Sequence, residues 1–183
     1  TGSAKRRRYN NLGLIVSSVY MICTIALKGI TYYKFKEALE KQDITYNQIQ
    51  TRPSPFNTIM WSANVELENC YLLADYSVFD SKPIQFKAIP KNHDFADQFK
   101  NEKDLQRIID ISQGWYSIAK RDDKLVFNDL RFGTYDLQQE DPNFVFSYFL
   151  KEKNGKLIVE EVPRDTKQAK QVMTKLLRRV FGN

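Results

Sequence analysis

Histidine, cysteine and glycine are scarce in this chain. Its 183 residues contain one histidine, two cysteines and seven glycines. Two cysteines cannot form a disulfide framework, and with a single histidine they cannot complete a structural zinc site. The sequence also lacks a Gly-rich phosphate loop, a His-Glu-x-x-His helix and a Gly-x-Ser-x-Gly elbow. We therefore expect no metal ligand and no cofactor in this chain itself.

Hydrophobic residues make up 42% of the chain and aromatic residues 13%. Such a composition argues against intrinsic disorder and suits one globular domain. The net charge of +6 is unevenly placed. Residues 1–43 hold eight Lys or Arg against three Asp or Glu, whereas residues 44–183 hold twenty against nineteen. Because the folded part is nearly neutral, we expect no nucleic-acid partner.

An uncharged run at residues 12–27 comes shortly after the basic segment KRRR at residues 5–8. At about 1.5 Å per residue the run is about 24 Å long, and extending the helix to Tyr33 gives about 33 Å. The longer helix can cross a hydrocarbon core of roughly 30 Å, with the ammonium of Lys28 reaching the headgroups. We predict a basic segment at 1–11, a transmembrane helix at 12–33, a juxtamembrane helix at 34–43 and a soluble domain at 44–183.

A buried core helix and a signal peptide are alternative interpretations of the same run. The run is apolar on every face rather than along one stripe, which favours lipid over a protein core. The bulky continuation KFKE at residues 34–37 is unlike the small-residue cleavage site of a signal peptide. The positive-inside rule places residues 5–8 in the cytoplasm and the soluble domain outside, although three lysines follow the run.

Alternating hydrophobicity dominates the chain after residue 43, and it predicts an α+β fold. The expected architecture is a mainly antiparallel sheet of six to eight strands with helices packed on one face. An Asn-Gly pair at residues 154–155 predicts a hairpin turn. The predicted strands lie at 58–68, 70–79, 84–88, 115–119, 124–132, 144–150 and 157–162, and the predicted helices at 101–112 and 166–181.

Two segments are candidates for binding a ligand. Prolines hold residues 52–57 extended, which can present Arg52 and Asn57. Asp129 and Arg131 lie on the same side of a predicted strand and can form an ion pair, either functional or merely structural. The candidate ligand-binding residues are Arg52, Asn57, Trp61, Asn128, Asp129 and Arg131, and the sequence identifies no catalytic residue.

Other titratable residues support weaker hypotheses. His93 could act as a base oriented by Asp94 or Asp97, but a solvated or capping histidine is the more ordinary interpretation. Carboxylates also surround one predicted hairpin, and the sequence does not show whether any two of them converge. They are Glu66, Glu68, Asp75 and Asp80.

Five segments behind the membrane helix carry a family resemblance. They are RPSPFNTIMW at 52–61, YLLADYSVFD at 71–80, ISQGWY at 111–116, NDLRFG at 128–133 and FVFSY at 144–148. In them the chain resembles the C-terminal part of bacterial membrane-bound metal-dependent hydrolases of the YdjM-like family of LexA-regulated inner-membrane proteins. The resemblance implies a bacterial inner-membrane location and a divalent metal in the parent protein. The family's metal-binding histidines belong to its N-terminal membrane half, and nothing in this chain matches them.

Three functions are open from the sequence. The first is a membrane-tethered accessory domain of such a hydrolase, with the lipid bilayer and the missing N-terminal membrane half as partners. The second is a non-catalytic membrane-anchored binding or sensing module that presents Trp61, Trp115 and Phe132. The third is an autonomous soluble enzyme that uses Asp129, Arg131 and a carboxylate.

Overall fold

A computed structural model describes residues 2–55, 57–121, 123–153, 155–163, 174, 176 and 178–182 of the chain. Within these residues, helical structure is followed by four strands, and this order then occurs a second time. In chain order they are α1 (Gly2–Lys41), β1 (Gln48–Pro53), β2 (Met60–Glu66), β3 (Cys70–Ser77), β4 (Lys87–Pro90), a 3-10 helix (His93–Phe99), α2 (Lys103–Ser112), β5 (Tyr116–Arg121), β6 (Lys124–Thr134), β7 (Phe144–Lys153) and β8 (Lys156–Glu161).

Helix α1 has two parts with different surroundings. Between Tyr9 and Ile30 most of its large apolar side chains are exposed, whereas Thr31, Phe35 and Leu39 are fully buried. These three residues are spaced by four and therefore lie on one face of the helix. The helix ends at Lys41, and Asp43 adopts a left-handed φ of 52° where the chain turns toward β1.

The exposed part of α1 is long and apolar enough to cross a membrane. Its most apolar 18-residue window, within Lys5–Lys41, has a mean hydropathy of 1.8, and none of that window is buried among the described residues. This exposure does not fit the alternative of a buried core helix. A signal sequence near the N-terminus would have the same length and composition.

The eight strands form two four-stranded antiparallel sheets, ordered β1-β2-β3-β4 and β5-β6-β7-β8. The α+β class and the antiparallel pairing are as the sequence predicts, but a single sheet of six to eight strands is not. Strand β4 ends at Pro90, which lacks an amide hydrogen, and two helices then separate it from β5. The chain can thus begin a second sheet at β5 instead of extending the first.

Two strands differ from their predicted positions. The strand expected at 84–88 lies at Lys87–Pro90, because β4 pairs with β3 only from Leu73↔Lys87 to Cys70↔Pro90. Strand β1 was expected only as an extended segment beginning at Arg52, yet it pairs with β2 from Gln48 onward.

The end of α1 packs against residues of the first sheet. Phe35 and Leu39 belong to a core cluster with Trp61, Ala63 and Val65 of β2. These are the alternate positions of β2 that the period-two pattern predicts to be buried. The ring of Phe35 also meets the ring of Tyr76 edge-on, with centroids 6.0 Å apart. Helix α1 is therefore part of the core as well as a candidate membrane span.

The second sheet packs against α2 and the 3-10 helix. Leu105 and Ile108 of α2 lie in a cluster with Phe127 and Leu150, as their i, i+3 spacing predicts. Strands β7 and β8 are joined by the predicted two-residue hairpin, since Lys153 pairs with Lys156. Gly155 in this turn has a φ of 72°, which a type I′ turn requires.

The two sheets meet along a seam, which we define as the contact between the face of the first sheet opposite α1 and strand β6. Apolar side chains from both sheets fill part of it, and Asn64 Nδ2 donates a hydrogen bond to the Leu130 carbonyl at 2.8 Å. The apolar members are Tyr71, Leu73, Ile89, Trp115, Leu130 and Phe144.

The last described residues dock on the end of β3. Arg179 donates to both carboxylate oxygens of Asp80, at 2.5 and 2.6 Å, and Ser77 Oγ donates to the Val180 carbonyl at 2.5 Å. Residues 178–180 are helical. Most of the helix predicted at 166–181 lies outside the described residues.

Candidate functional site

A row of polar side chains crosses the first sheet on its seam face. The strand register pairs Arg52 with Ser62 and Ser62 with Asp75, so that the three side chains point to the same side. Ser62 Oγ donates to Asp75 Oδ1 at 2.7 Å. Asn64 shares this face and is bonded to β6. The polar row is therefore turned toward the second sheet.

The second sheet contributes an ion pair to the same seam. Asp129 is buried on β6, and Arg131 donates to it from Nη2 at 2.7 Å and from Nε at 3.1 Å. The backbone amide of Arg131 donates a further bond to Asp129 Oδ1 at 2.9 Å. Hydrogen bonding and attraction by Asp129 raise the pKa of Arg131, despite partial burial. The ion pair that the strand spacing suggests is present.

Arg52 lies within electrostatic range of this pair. Burial lowers the pKa of the Arg52 guanidinium, the charge of Asp129 raises it, and the like charge of Arg131 lowers it further. Arg52 Nη2 also donates to Gln50 Oε1 at 2.9 Å. Arg131 is thus the bonded partner of Asp129, and Arg52 adds a second, partly buried positive charge near the pair.

An exposed aromatic ring adjoins Arg131. The pairing of β6 with β7 is irregular between Asp129 and Thr134, and Gly133 has a φ of 73°. This irregularity accompanies a Phe132 side chain that is 54% exposed. The Arg131 guanidinium carbon lies 5.2 Å from the Phe132 ring centroid. The site therefore combines positive charge with an apolar surface.

The two segments selected from the sequence line one small cavity. It has a volume of about 80 Å³ and is bordered by residues from both segments and by Asp75. This volume holds several water molecules but not a metabolite. Its lining includes Ser54, Ser62, Asn64, Phe132 and Thr134.

Three of the predicted site residues make bonds within the protein that explain their positions. Asn57 Oδ1 accepts bonds from the amides of Ile59 and Met60 at 3.1 and 2.7 Å, which closes the turn before β2. Buried Trp61 lies on the α1 side of the sheet and donates to the Thr58 carbonyl at 2.9 Å.

Asn128 is the third of these residues. It is buried on β6 and accepts a bond from Ser147 Oγ at 2.8 Å. Of the six predicted residues, the structure brings Arg52, Asp129 and Arg131 together, and it engages the other three in local structure.

A larger cleft of about 580 Å³ opens at the β3 end of the polar row. Its lining includes Asp75, Asp80 and Arg179 together with Lys82 and Lys87. Burial raises the pKa of the Asp75 carboxyl, Ser62 and Arg179 lower it, and Asp80 raises it. Sequence reasoning named both carboxylates but missed the cleft, because Arg179 lies 99 residues beyond Asp80.

His93 belongs to an aromatic stack. Its ring lies 4.0 Å from the ring of Tyr116, which in turn stacks on Phe127 at 4.7 Å. The Nε2 atom is 2.9 Å from the Tyr116 carbonyl oxygen. These contacts support a structural role for this histidine.

Metal ligands do not cluster in the part of the chain that the structure describes. No group of three or more His, Cys, Asp or Glu side chains is placed there to hold an ion, and Cys23 and Cys70 are both free. The divalent metal implied by the family resemblance concerns the parent protein and stays a prediction.

Fold and site together define an α+β domain with an N-terminal candidate membrane helix and a charged seam between two sheets. Comparison with known protein families, with curated proteins and with solved structures finds no significant match to this chain. Its function therefore has to be inferred from the geometry described above.

Proposed function

We propose that this chain is a membrane-anchored binding module in which α1 crosses the bilayer and the two-sheet body carries a ligand site in its seam. The observation that supports it is the exposure of apolar side chains all round α1, with Leu14, Val19, Ile22 and Ile25 each more than half exposed. Leaving such a side chain in water rather than burying it costs about 1.5–3 kcal/mol. A lipid environment removes this cost.

The length of the exposed part supports the same proposal. Thr31 is buried and Leu27 packs against the first sheet, so the lipid-facing stretch ends near Leu27. The 19 residues 9–27 then lie between Arg8 and Lys28. They span about 28 Å, which is close to the roughly 30 Å of a hydrocarbon core.

The seam supports the binding role. It holds a buried ion pair next to a further half-buried arginine and an exposed ring. Charged groups that are partly dehydrated and adjoin apolar surface are features of binding sites. Trp61 and Trp115 are buried, so Phe132 is the exposed member of the three aromatic residues that the sequence suggested.

The resemblance to YdjM-like hydrolases supports a more specific version of the proposal. In that version the module assists a metal-dependent hydrolase of the bacterial inner membrane, with its body on the extracytoplasmic side. The catalytic metal would belong to another part of the parent protein. Hydrolysis by the metal-loaded parent protein, with none by this chain alone, is the expected result, and hydrolysis by this chain alone would contradict it.

Membrane anchoring is tested with two arginines in the middle of the exposed stretch. The variant Val19→Arg with Ile22→Arg places two charges at the centre of α1, at a cost of about 3 kcal/mol each for membrane insertion. The matched control, Glu40→Arg with Glu152→Arg, places them at exposed positions of the body side.

The full chain and the control should resist alkaline carbonate extraction and float with lipid vesicles, whereas the double-arginine variant should not. Extraction of the unaltered chain by carbonate, or flotation of the double-arginine variant, would refute the anchor. Intact mass spectrometry of the membrane fraction tests the signal-sequence alternative, since loss of the first helix would contradict the proposal.

A further inference from the structure

Around Asp129 the seam brings two arginines, Arg131 and Arg52, near a single carboxylate. Asp129 is already engaged by Arg131 through side-chain bonds from Nε and Nη2. Arg52 therefore brings a second positive charge to a site in which the Asp129 carboxylate is already bonded to Arg131. The like charge of Arg131 disfavours the charged form of Arg52, and burial does so too. A half-buried cation in this position is stabilised when an anion joins it.

The fold holds Arg52 in this position. Gln50 and Arg52 are on β1, paired with Asn64 and Ser62 of β2. Asn64 is bonded to the Leu130 carbonyl, and Leu130 lies between Asp129 and Arg131 on β6. One cross-sheet hydrogen bond therefore holds β2, the strand that pairs with the strand of Arg52, against the strand that carries the ion pair.

We propose that Arg52 and Arg131 form an anion-binding site for the carboxylate or phosphate group of a ligand. Guanidinium groups bind such oxyanions through pairs of parallel N–H bonds, and Arg131 shows this geometry with Asp129. Asp129 occupies part of the site in the way that a ligand oxyanion would. This inference names the ligand class for the binding role proposed above, and it rests on that role.

The surroundings of the site add an apolar requirement. Phe132 is exposed beside the Arg131 guanidinium, and Phe146 contacts its ring with centroids 4.6 Å apart. A ligand whose oxyanion is attached to an apolar group can bind the arginines and cover Phe132 at once. Both an anionic lipid and a soluble aromatic or aliphatic acid have this chemistry.

The test uses the full chain in phosphatidylcholine nanodiscs, with inorganic phosphate and benzoate as separate probes at constant ionic strength. Binding is measured by calorimetry and by the rise in melting temperature over that in an equal ionic strength of chloride. We expect saturable binding of both probes, with benzoate tighter than phosphate because its ring can cover Phe132. Shifts no larger than those in chloride for both probes would overturn the proposal.

Three variants separate the site from general electrostatic attraction. Arg52→Gln should weaken binding at least tenfold, and Arg52→Lys about threefold or more, because lysine keeps the charge but loses the paired bonds. Asp129→Asn should strengthen binding, because it releases Arg131 from its competing carboxylate. Arg121→Gln, a control at an arginine paired with Asp141, should bind as the unaltered chain does.

Unchanged binding in Arg52→Gln, or equal loss in Arg121→Gln, would overturn the proposal. Should Asp129→Asn fail to fold, judged by the fluorescence of the buried Trp61 and Trp115, the two Arg52 variants still decide the question. Unchanged binding in Arg52→Lys would indicate charge attraction alone and would also refute the paired-bond site.

Nanodiscs that contain phosphatidic acid distinguish the source of the oxyanion. Weaker phosphate binding in these discs, with less phosphatidic acid retained by Arg52→Gln, supports a lipid headgroup at the site. Equal binding in both kinds of disc supports a soluble ligand. Carbonate extraction is measured on the same samples, so a failure of the anchor is distinguishable from a failure of the anion site.

Discussion

Removal of the Phe35 ring tests whether α1 belongs to the core of the first sheet. Phe35 is fully buried and meets Tyr76 edge-on with ring centroids 6.0 Å apart. Replacing a buried Phe by Ala costs about 3–5 kcal/mol, from lost transfer free energy and the cavity that remains. The aromatic pair accounts for about 0.5–1.5 kcal/mol of this loss. Since a domain's stability is about 5–15 kcal/mol, Phe35→Ala should remove a large part of it.

The assay is urea unfolding of the full chain in a neutral detergent, followed by tryptophan fluorescence. Trp61 lies in the same core cluster as Phe35 and reports its loss directly. The matched control is Tyr33→Ala, which removes a ring of similar size from the same helix at a position that is 71% exposed. The control should change the free energy of unfolding by less than about 0.5 kcal/mol.

A loss below about 1 kcal/mol for Phe35→Ala would refute the packing of α1 on the sheet. Equal losses for both variants would do the same, because they would show that burial of the ring has no energetic effect. A double-mutant cycle with Tyr76→Ala isolates the ring contact, and a coupling energy near zero would remove that part of the argument.

Three further predictions concern the body. Burial raises the folded-state pKa of Asp75 above its ordinary value of 3.8, so its contribution to stability is full below about pH 4 and is lost as the pH rises. The stability of the unaltered chain minus that of Asp75→Asn should therefore fall from pH 4 to 7, and a flat difference would contradict the buried carboxyl. Arg179→Gln should cost about 3 kcal/mol in urea unfolding, because it leaves the Asp80 carboxylate, whose side chain is 3% exposed, without its partner. Lys151→Gln, at an exposed pair, should cost about 0–1 kcal/mol, and equal losses would argue against the Asp80 contact. Gly155→Ala should cost about 1 kcal/mol because of its φ of 72°, and unchanged stability would be inconsistent with a left-handed backbone at Gly155.

The strands of this protein were predictable where the information lies inside each strand. The alternation around Trp61, Ala63 and Val65 locates β2, and the Asn-Gly pair before Lys156 locates the β7–β8 hairpin. The division into two sheets was not predictable in this way. It depends on whether β4 and β5 pair with each other, although the 3-10 helix and α2 separate them in the chain. A local sequence pattern does not predict pairing between strands so far apart.

The sequence predicts some residues of the candidate site, but it does not predict how the fold brings them together. Asp129 and Arg131 are two residues apart, so their pairing follows from strand geometry alone. The approach of Arg52 depends on the packing of the first sheet on β6, where the hydrogen bond between Asn64 and Leu130 joins residues 66 apart in the chain. The amide oxygen of Asn57 is engaged within its own turn, and ligand binding by Asn57 stays a prediction.

The unbroken helix from Gly2 to Lys41 has a consequence for anything that meets this protein in the plane of the membrane. Because Phe35 and Leu39 of this helix pack in the core of the first sheet, one continuous helix joins the exposed apolar stretch to the body. Under the proposed anchoring, the direction in which the charged seam faces in the membrane plane is then set by the rotation of α1 about its own axis. One residue inserted into α1 between Leu27 and Phe35 would turn the seam by about 100° about the helix axis. It would also move the seam by about 1.5 Å along that axis.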